Sequence, residues 1–217
     1  MTPMVWGLLG AAGLCALADW AAVLVHGRST RWVTKPGVMV LLILAASAAH
    51  PAVQAERPWL IAGLVLGLAG DLLLLGESSR AFLAGLVAFL AGHLAFIAGF
   101  RTLPFNPGGA AAAGGIAIAS AAVLLPIYVR ALRSGGRSAL VIPVIAYVAA
   151  ISVMLVSAWG TLVPLAMVGG LLFYASDAEL AWDRFVKPIR RGRLVNIVLY
   201  QAGQAALAAS LVSTTIG

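Results

Sequence analysis

Long apolar runs alternate with short polar breaks along the whole chain. A helix needs about 20 apolar residues to cross a hydrocarbon core of about 30 Å. Eight runs meet that need or come close: 4–25, 33–49, 59–75, 81–100, 110–132, 138–158, 161–182 and 194–213. The breaks between them read HGRSTR, HPAVQAERP, GESSR, RTLPFNPGG, RSGGR, WGT and DRFVKPIRRGR, all rich in charge, Gly or Pro. WGT is the weakest. Without it, runs six and seven would merge into about 45 residues, too long for one span. The pattern predicts an all-α integral membrane protein with eight transmembrane helices in one bundle.

The charges give the bundle a direction. Cytoplasmic loops of membrane proteins collect Lys and Arg. Arg28, Arg31, Lys35, Arg80, Arg130, Arg133, Arg137, Arg184, Lys187, Arg190, Arg191 and Arg193 all fall in or beside loops one, three, five and seven. Only Arg57 and Arg101 fall on the other side. The odd loops are therefore expected in the cytoplasm, with both termini outward. No Lys or Arg precedes the first run, so it reads as a retained helix rather than a cleavable leader.

Composition agrees with this reading. Hydrophobic residues make up 62% of the chain, charged residues 10%, and mean hydropathy is +1.03. A soluble domain carries about 25% charge, and no polar segment here is long enough to be one. Residues 1–217 are expected to form a single membrane domain. The net charge of +7 belongs to the cytoplasmic loops rather than to a nucleic-acid surface, and the arginines of loop seven also suit anionic lipid phosphates. The single cysteine, Cys15, excludes an intrachain disulfide and a thiolate metal cluster. Ala-Gly runs, and Gly63 and Gly67 ahead of Gly70-Asp71, are read as close-packing faces between membrane helices.

Against this apolar background two aspartates stand out: Asp71 in LVLGLAGDLLLL and Asp177 in GGLLFYASDAEL. A carboxylate at the centre of a spanning helix costs about 2.5–3.5 kcal/mol on insertion scales. Such a group is normally paired, protonated or beside a wet cavity. Each lies about five residues from the expected cytoplasmic end of its helix, hence roughly 7–8 Å deep. Asp19 sits at a similar depth, within reach of headgroup water, and Lys35 begins helix two on the same side. His93, Tyr147 and the i, i+4 stripe Asn196, Tyr200, Gln204 add polar groups to the same half. The outer half offers no comparable set, so a cavity open to the cytoplasm or inner leaflet is expected. Gly63 and Gly169 each precede an aspartate by eight residues, and Leu74 and Leu180 each follow one by three. A four-plus-four parallel repeat would place the two aspartates in equivalent positions.

In a low-dielectric site, two neighbouring carboxyls leave one protonated and one ionised near neutral pH. That pair suits reactions through an oxocarbenium-like species. No G-x-S-x-G or HExxH motif is present, and Asp71, Asp177 and His93 lack the local spacing of a metal site, so no cofactor or metal is expected.

The chain resembles the YhhN-like lysoplasmalogenase family over about 30–210. The matching elements are Lys35-Pro36, Gly70-Asp71 with the leucines that follow, FLAGLVAFLAGH (82–93), Tyr147, GGLLFYASD (169–177), and Tyr200 with Gln204. Phe96 stands where the family pattern has tyrosine, and Gly203 where alanine is commoner. The resemblance implies an eight-helix hydrolase that cleaves the vinyl ether of lysoplasmalogens into a fatty aldehyde and a glycerophospho head group. Asp71 and Asp177 would be the acid/base pair. Lys35 would meet the substrate phosphate, and His93, Tyr147, Asn196, Tyr200 and Gln204 would line the site. Its partners would be the lysophospholipid and membrane lipids, in the cell membrane, with the site toward the cytoplasm. Two other readings compete: a hydrolase of another lysolipid or ether lipid, and a proton-coupled transporter or lipid-handling protein. The transporter would need polar groups reaching both faces.

Overall fold

The structure, a computed structural model, describes residues 3–76 and 78–213. It contains eight α-helices: α1 Pro3–Leu24, α2 Arg28–Ala48, α3 Glu56–Leu74, α4 Ser79–Phe100, α5 Pro107–Ser134, α6 Val141–Gly160, α7 Pro164–Phe185 and α8 Gly192–Ser213. There is no strand among the described residues. Seven of the eight are long and apolar enough to cross a membrane. The exception is α7, whose 22 residues include Asp177, Glu179, Asp183 and Arg184. The two chain ends, predicted to face outward, and Glu77 of the third loop lie outside the described residues.

Local chemistry sets the helix ends. The Ser78 side chain accepts the Ala81 N–H at 3.0 Å to start α4. Asn106 accepts the Gly109 N–H at 2.9 Å and is followed by Pro107, a favourable pair for starting α5. The weak WGT break is real: Leu162 takes φ 54°, Thr161 Oγ1 accepts the Val163 N–H at 3.1 Å, and Pro164 opens α7. Two expectations shift. Helix α2 begins at Arg28, so Lys35 lies about two turns inside it rather than at its start. Helix α7 runs on to Phe185, because Arg137 donates to the carbonyls of Arg184 and Phe185 at 3.3 and 3.4 Å. Asp177 is therefore about two turns from its helix end, whereas Asp71 is in the last turn of α3. The sequence predicts equal distances from the two helix ends, and the structure does not have them.

The molecule is apolar outside as well as inside. Leu14 and Ile118 are 71% and 73% exposed, while Asp19, Lys35, Asp71 and His93 are buried. That is the arrangement expected where lipid is the solvent. Close packing then depends on small residues. A Cβ on Gly169 would lie 2.9 Å from the Leu207 backbone N, and one on Gly203 would lie 3.0 Å from the Phe173 backbone N. These glycines let α7 and α8 run nearly in contact. Helix α8 also touches α1, α2 and α3.

Consecutive helices pack on one another with one exception. Among the described residues no Cα of α4 comes within 8 Å of one of α5. The connecting loop carries the chain across to α6 instead. Asn106 N–H donates to Gly160 O at 2.6 Å, and the Phe105 ring packs where a Gly160 Cβ would sit. The start of α5 is thereby tied to the end of α6, and the α4 and α5 backbones stay apart.

Candidate functional site

The polar side chains gather into three nests. The first surrounds Asp71, which is 1% exposed. Lys35 Nζ on α2 lies 2.9 Å from its Oδ1, and the Tyr200 hydroxyl on α8 donates to its Oδ2 at 3.0 Å. Gln204 Nε2, one turn along α8, donates to the Tyr200 hydroxyl at 3.3 Å. Gly67 makes room for that amide, since a Cβ there would lie 2.8 Å from Gln204 Nε2.

The second nest surrounds Asp177. Tyr147 on α6 donates to its Oδ2 at 2.9 Å, and His93 Nε2 on α4 lies 3.1 Å from both that oxygen and the Tyr147 hydroxyl. The imidazole is fully buried, and its Nδ1 has no partner. A proton on Nδ1 would strand a buried donor, while one on Nε2 is donated to the carboxylate. A proton on Nε2 leaves no buried donor stranded. With two donors on Oδ2, Asp177 Oδ1 has no protein partner among the described residues. The side chain keeps 10% exposure.

The two aspartates share no direct partner. Between the nests stand edge-on rings: Phe173 lies 4.9 Å from His93 and 5.4 Å from Tyr200, and Phe89 lies 5.7 Å from Tyr200. Asn196 joins neither nest. It donates to Ser176 O at 2.8 Å and to Ser176 Oγ at 3.1 Å, fastening α8 to α7. Phe96, where a hydroxyl was in question, packs its ring over Gly63 and 6.4 Å from Phe173.

The third nest shows what sequence reasoning undervalued. Asp19 is fully buried rather than near the headgroups. It accepts from Thr34 at 2.8 Å, from Gln201 at 3.0 Å and from Arg31 at 3.3 Å, and Gln201 in turn accepts from Trp20 at 2.7 Å. Gln201 follows Tyr200 directly, so α8 serves two nests from adjacent positions. Toward the other end of α3, Glu56 is also fully buried, with neither carboxyl oxygen partnered.

A cavity of about 150 Å³ opens between α4, α5, α6 and α7. Its walls are apolar, with Leu86, Leu90, Leu124, Val144 and Ile151 among them. Asp177 and Tyr147 interrupt that surface midway, and Arg184 and Phe82 lie at one end. Asp71, Lys35, Tyr200 and Gln204 are not on its walls.

Apolar outer faces and seven helices long and apolar enough to span a bilayer define a multi-pass membrane protein, here with buried polar nests beside an apolar cavity. More closely, the chain belongs to the YhhN family, whose model matches residues 30–211. It is 36% identical over 155 residues to proteins named lysoplasmalogenase from Mycobacterium bovis (strain ATCC BAA-935 / AF2122/97) and Mycobacterium tuberculosis (strain CDC 1551 / Oshkosh). The match takes in 68% of this chain and 58% of each relative, so it spans under two-thirds of the relatives' length. No solved structure gives a significant match.

Proposed function

We propose that this protein is a membrane-embedded hydrolase that cleaves the vinyl ether bond of lysoplasmalogens to a fatty aldehyde and a glycerophospho head group. The observation that carries the proposal is the Asp177 carboxyl on the wall of a largely apolar cavity, with one oxygen that has no protein partner among the described residues. The name of the mycobacterial relatives supplies the substrate class.

The chemistry requires a proton to be supplied twice, once to carbon and once to the departing oxygen. A carboxyl proton adds to the alkene carbon distal to the ether oxygen and leaves an oxocarbenium ion, which the resulting carboxylate stabilises. Water adds to the oxygen-bearing carbon and returns a proton to the carboxylate. The hemiacetal then breaks its bond to the glycerol oxygen. Its hydroxyl proton is lost as the aldehyde forms, and the departing oxygen takes one up. The sum is one water consumed and no net proton. Tyr147 and His93 hold Asp177 Oδ2, so that Oδ1 meets the substrate. Asp71 is the second carboxyl of the reading. Behind the Phe173 ring, it fixes Tyr200 and Lys35 and acts as a positioning residue.

We also infer that residues 1–217 form one transmembrane unit in which α7 spans with the other seven helices, and that the two four-helix halves are related by a pseudo-two-fold axis. What supports the repeat is how the carboxylates are held. Asp71 on α3 is held from α2 and α8, and Asp177 on α7 is held from α6 and α4. Advancing each helix by four exchanges one set for the other. The transporter reading draws only on Glu56, a single buried carboxylate toward the opposite end.

The test is purified protein in detergent with a 1-alkenyl lysophospholipid, with aldehyde as readout. Asp177→Asn is expected to lose a factor of about 10²–10⁴, and Asp71→Asn a smaller one. Wild-type turnover by either variant ends the proposal. Release of fatty acid from a 1-acyl lysophospholipid, with no aldehyde from the alkenyl substrate, would move the activity to another lysolipid.

A further inference from the structure

One cation on the cavity wall is uncommitted. Arg184 is in the last turn of α7, two turns beyond Asp177 and on the same face of the helix. Its guanidinium lies 4.5 Å above the Phe82 ring and makes no ion pair among the described residues. The backbone beneath it is pinned by Arg137, whose own guanidinium stacks 5.6 Å from the Phe185 ring. Lys35, the lysine the sequence singles out for a phosphate, is buried against Asp71 and is absent from the cavity wall.

The cavity also has an open side. Its walls include Leu83, Leu86 and Val87 of α4 and Ala121 and Leu124 of α5, two helices whose described Cα atoms stay more than 8 Å apart. Leu83 and Val87 are exposed on the outer surface as well. Leu83 and Val87 thus belong both to the cavity wall and to the exposed apolar surface. A ligand that fits such a space is apolar along most of its length and anionic at one end.

We infer that Arg184 binds the phosphodiester of a single-chain phospholipid whose hydrocarbon chain lies in the cavity and reaches lipid through the gap between α4 and α5. This rests on the reading of the cavity as the substrate site and extends it to the head group. The Arg184-to-Asp177 rise is about 10 Å along the helix, and the arginine side chain reaches back over part of it. A glycerol with its ether oxygen at Asp177 and its phosphate at Arg184 fits that span. Guanidinium is suited to the role because its planar fork binds phosphate oxygens in pairs.

The test compares two matched lipids in wild type, Arg184→Gln and Arg184→Lys. One is a 1-alkyl lysophospholipid, which has no vinyl ether to cleave; the other is the corresponding 1-alkylglycerol, without phosphate. Binding is followed by calorimetry in detergent. Arg184→Gln is expected to weaken the phospholipid about tenfold or more and leave the alkylglycerol unchanged, with Arg184→Lys in between. Equal affinity of wild type and Arg184→Gln for the phospholipid overturns the assignment, as does an equal loss for both lipids. With the 1-alkenyl substrate, the same variant is expected to show its loss in KM. Because the binding arm needs no turnover, an inactive wild type would refute the hydrolase reading while leaving the phosphate site to stand or fall by itself.

Discussion

At the scale of single residues, the site is a balance of buried charges. Lys35 and Asp71 hold each other at 2.9 Å in a place almost closed to solvent. Removing one partner strands the other, at a cost of about 3–5 kcal/mol. Lys35→Met is therefore expected to lower the melting temperature sharply in detergent. Lys35→Met with Asp71→Leu should recover most of the stability but not the turnover. Recovery of both would show that Asp71 serves the fold alone. Tyr147→Phe removes one of two donors to Asp177 and leaves His93 in place. A fall in kcat of about tenfold is expected, because the carboxylate formed on proton transfer loses a donor worth about 1.5 kcal/mol, with a smaller loss of stability in the melting curve. The polar residues of the site were legible because each is anomalous in an apolar run. The rings of Phe89 and Phe173 that keep the two carboxyls apart were not legible, since an aromatic residue in such a run is ordinary. Asp19 was undervalued because its partners Thr34 and Gln201 come from distant parts of the chain.

At the scale of elements, hydropathy located all eight helices to within a few residues, and side-chain caps account for the earlier starts of α4 and α5. Arg28 starts α2 in a stretch where charge suggests a loop, because α2 there packs against α1 and turns Arg31 and Thr34 onto Asp19. The close pairing of α7 with α8 depends on glycine. Gly169→Ala would drive a Cβ to 2.9 Å from the Leu207 backbone, which no rotamer relieves, whereas Gly10→Ala meets nothing within 4 Å. The first is expected to destabilise by about 1–3 kcal/mol and the second to be neutral, as read from thermal melts of the two variants. Equal melts would mean that α7 and α8 are less closely apposed than described. The missing contact between α4 and α5 could not be read from the sequence. It arises because Asn106 and Phe105 dock on the end of α6, a tertiary choice made by a short loop.

At the scale of the whole molecule, the distribution of basic residues predicts which loops face the cytoplasm. With Cys15 replaced by serine, a cysteine at Ser134, at the end of α5, is expected to react with a membrane-impermeant maleimide from the cytoplasmic face only. A cysteine at Ala52, between α2 and α3, is expected to react from the opposite face only. Labelling of both from one face would break the alternating topology. The gap between α4 and α5 has a further kinetic consequence. A substrate that arrives sideways is drawn from the lipid phase, so the concentration that matters is its mole fraction in the surface, not its amount per volume. Diluting the lysolipid with inert detergent at constant bulk concentration should slow the reaction. The products should also part company there, the hydrophobic fragment spreading into the leaflet and the phosphorylated glycerol leaving for the aqueous side.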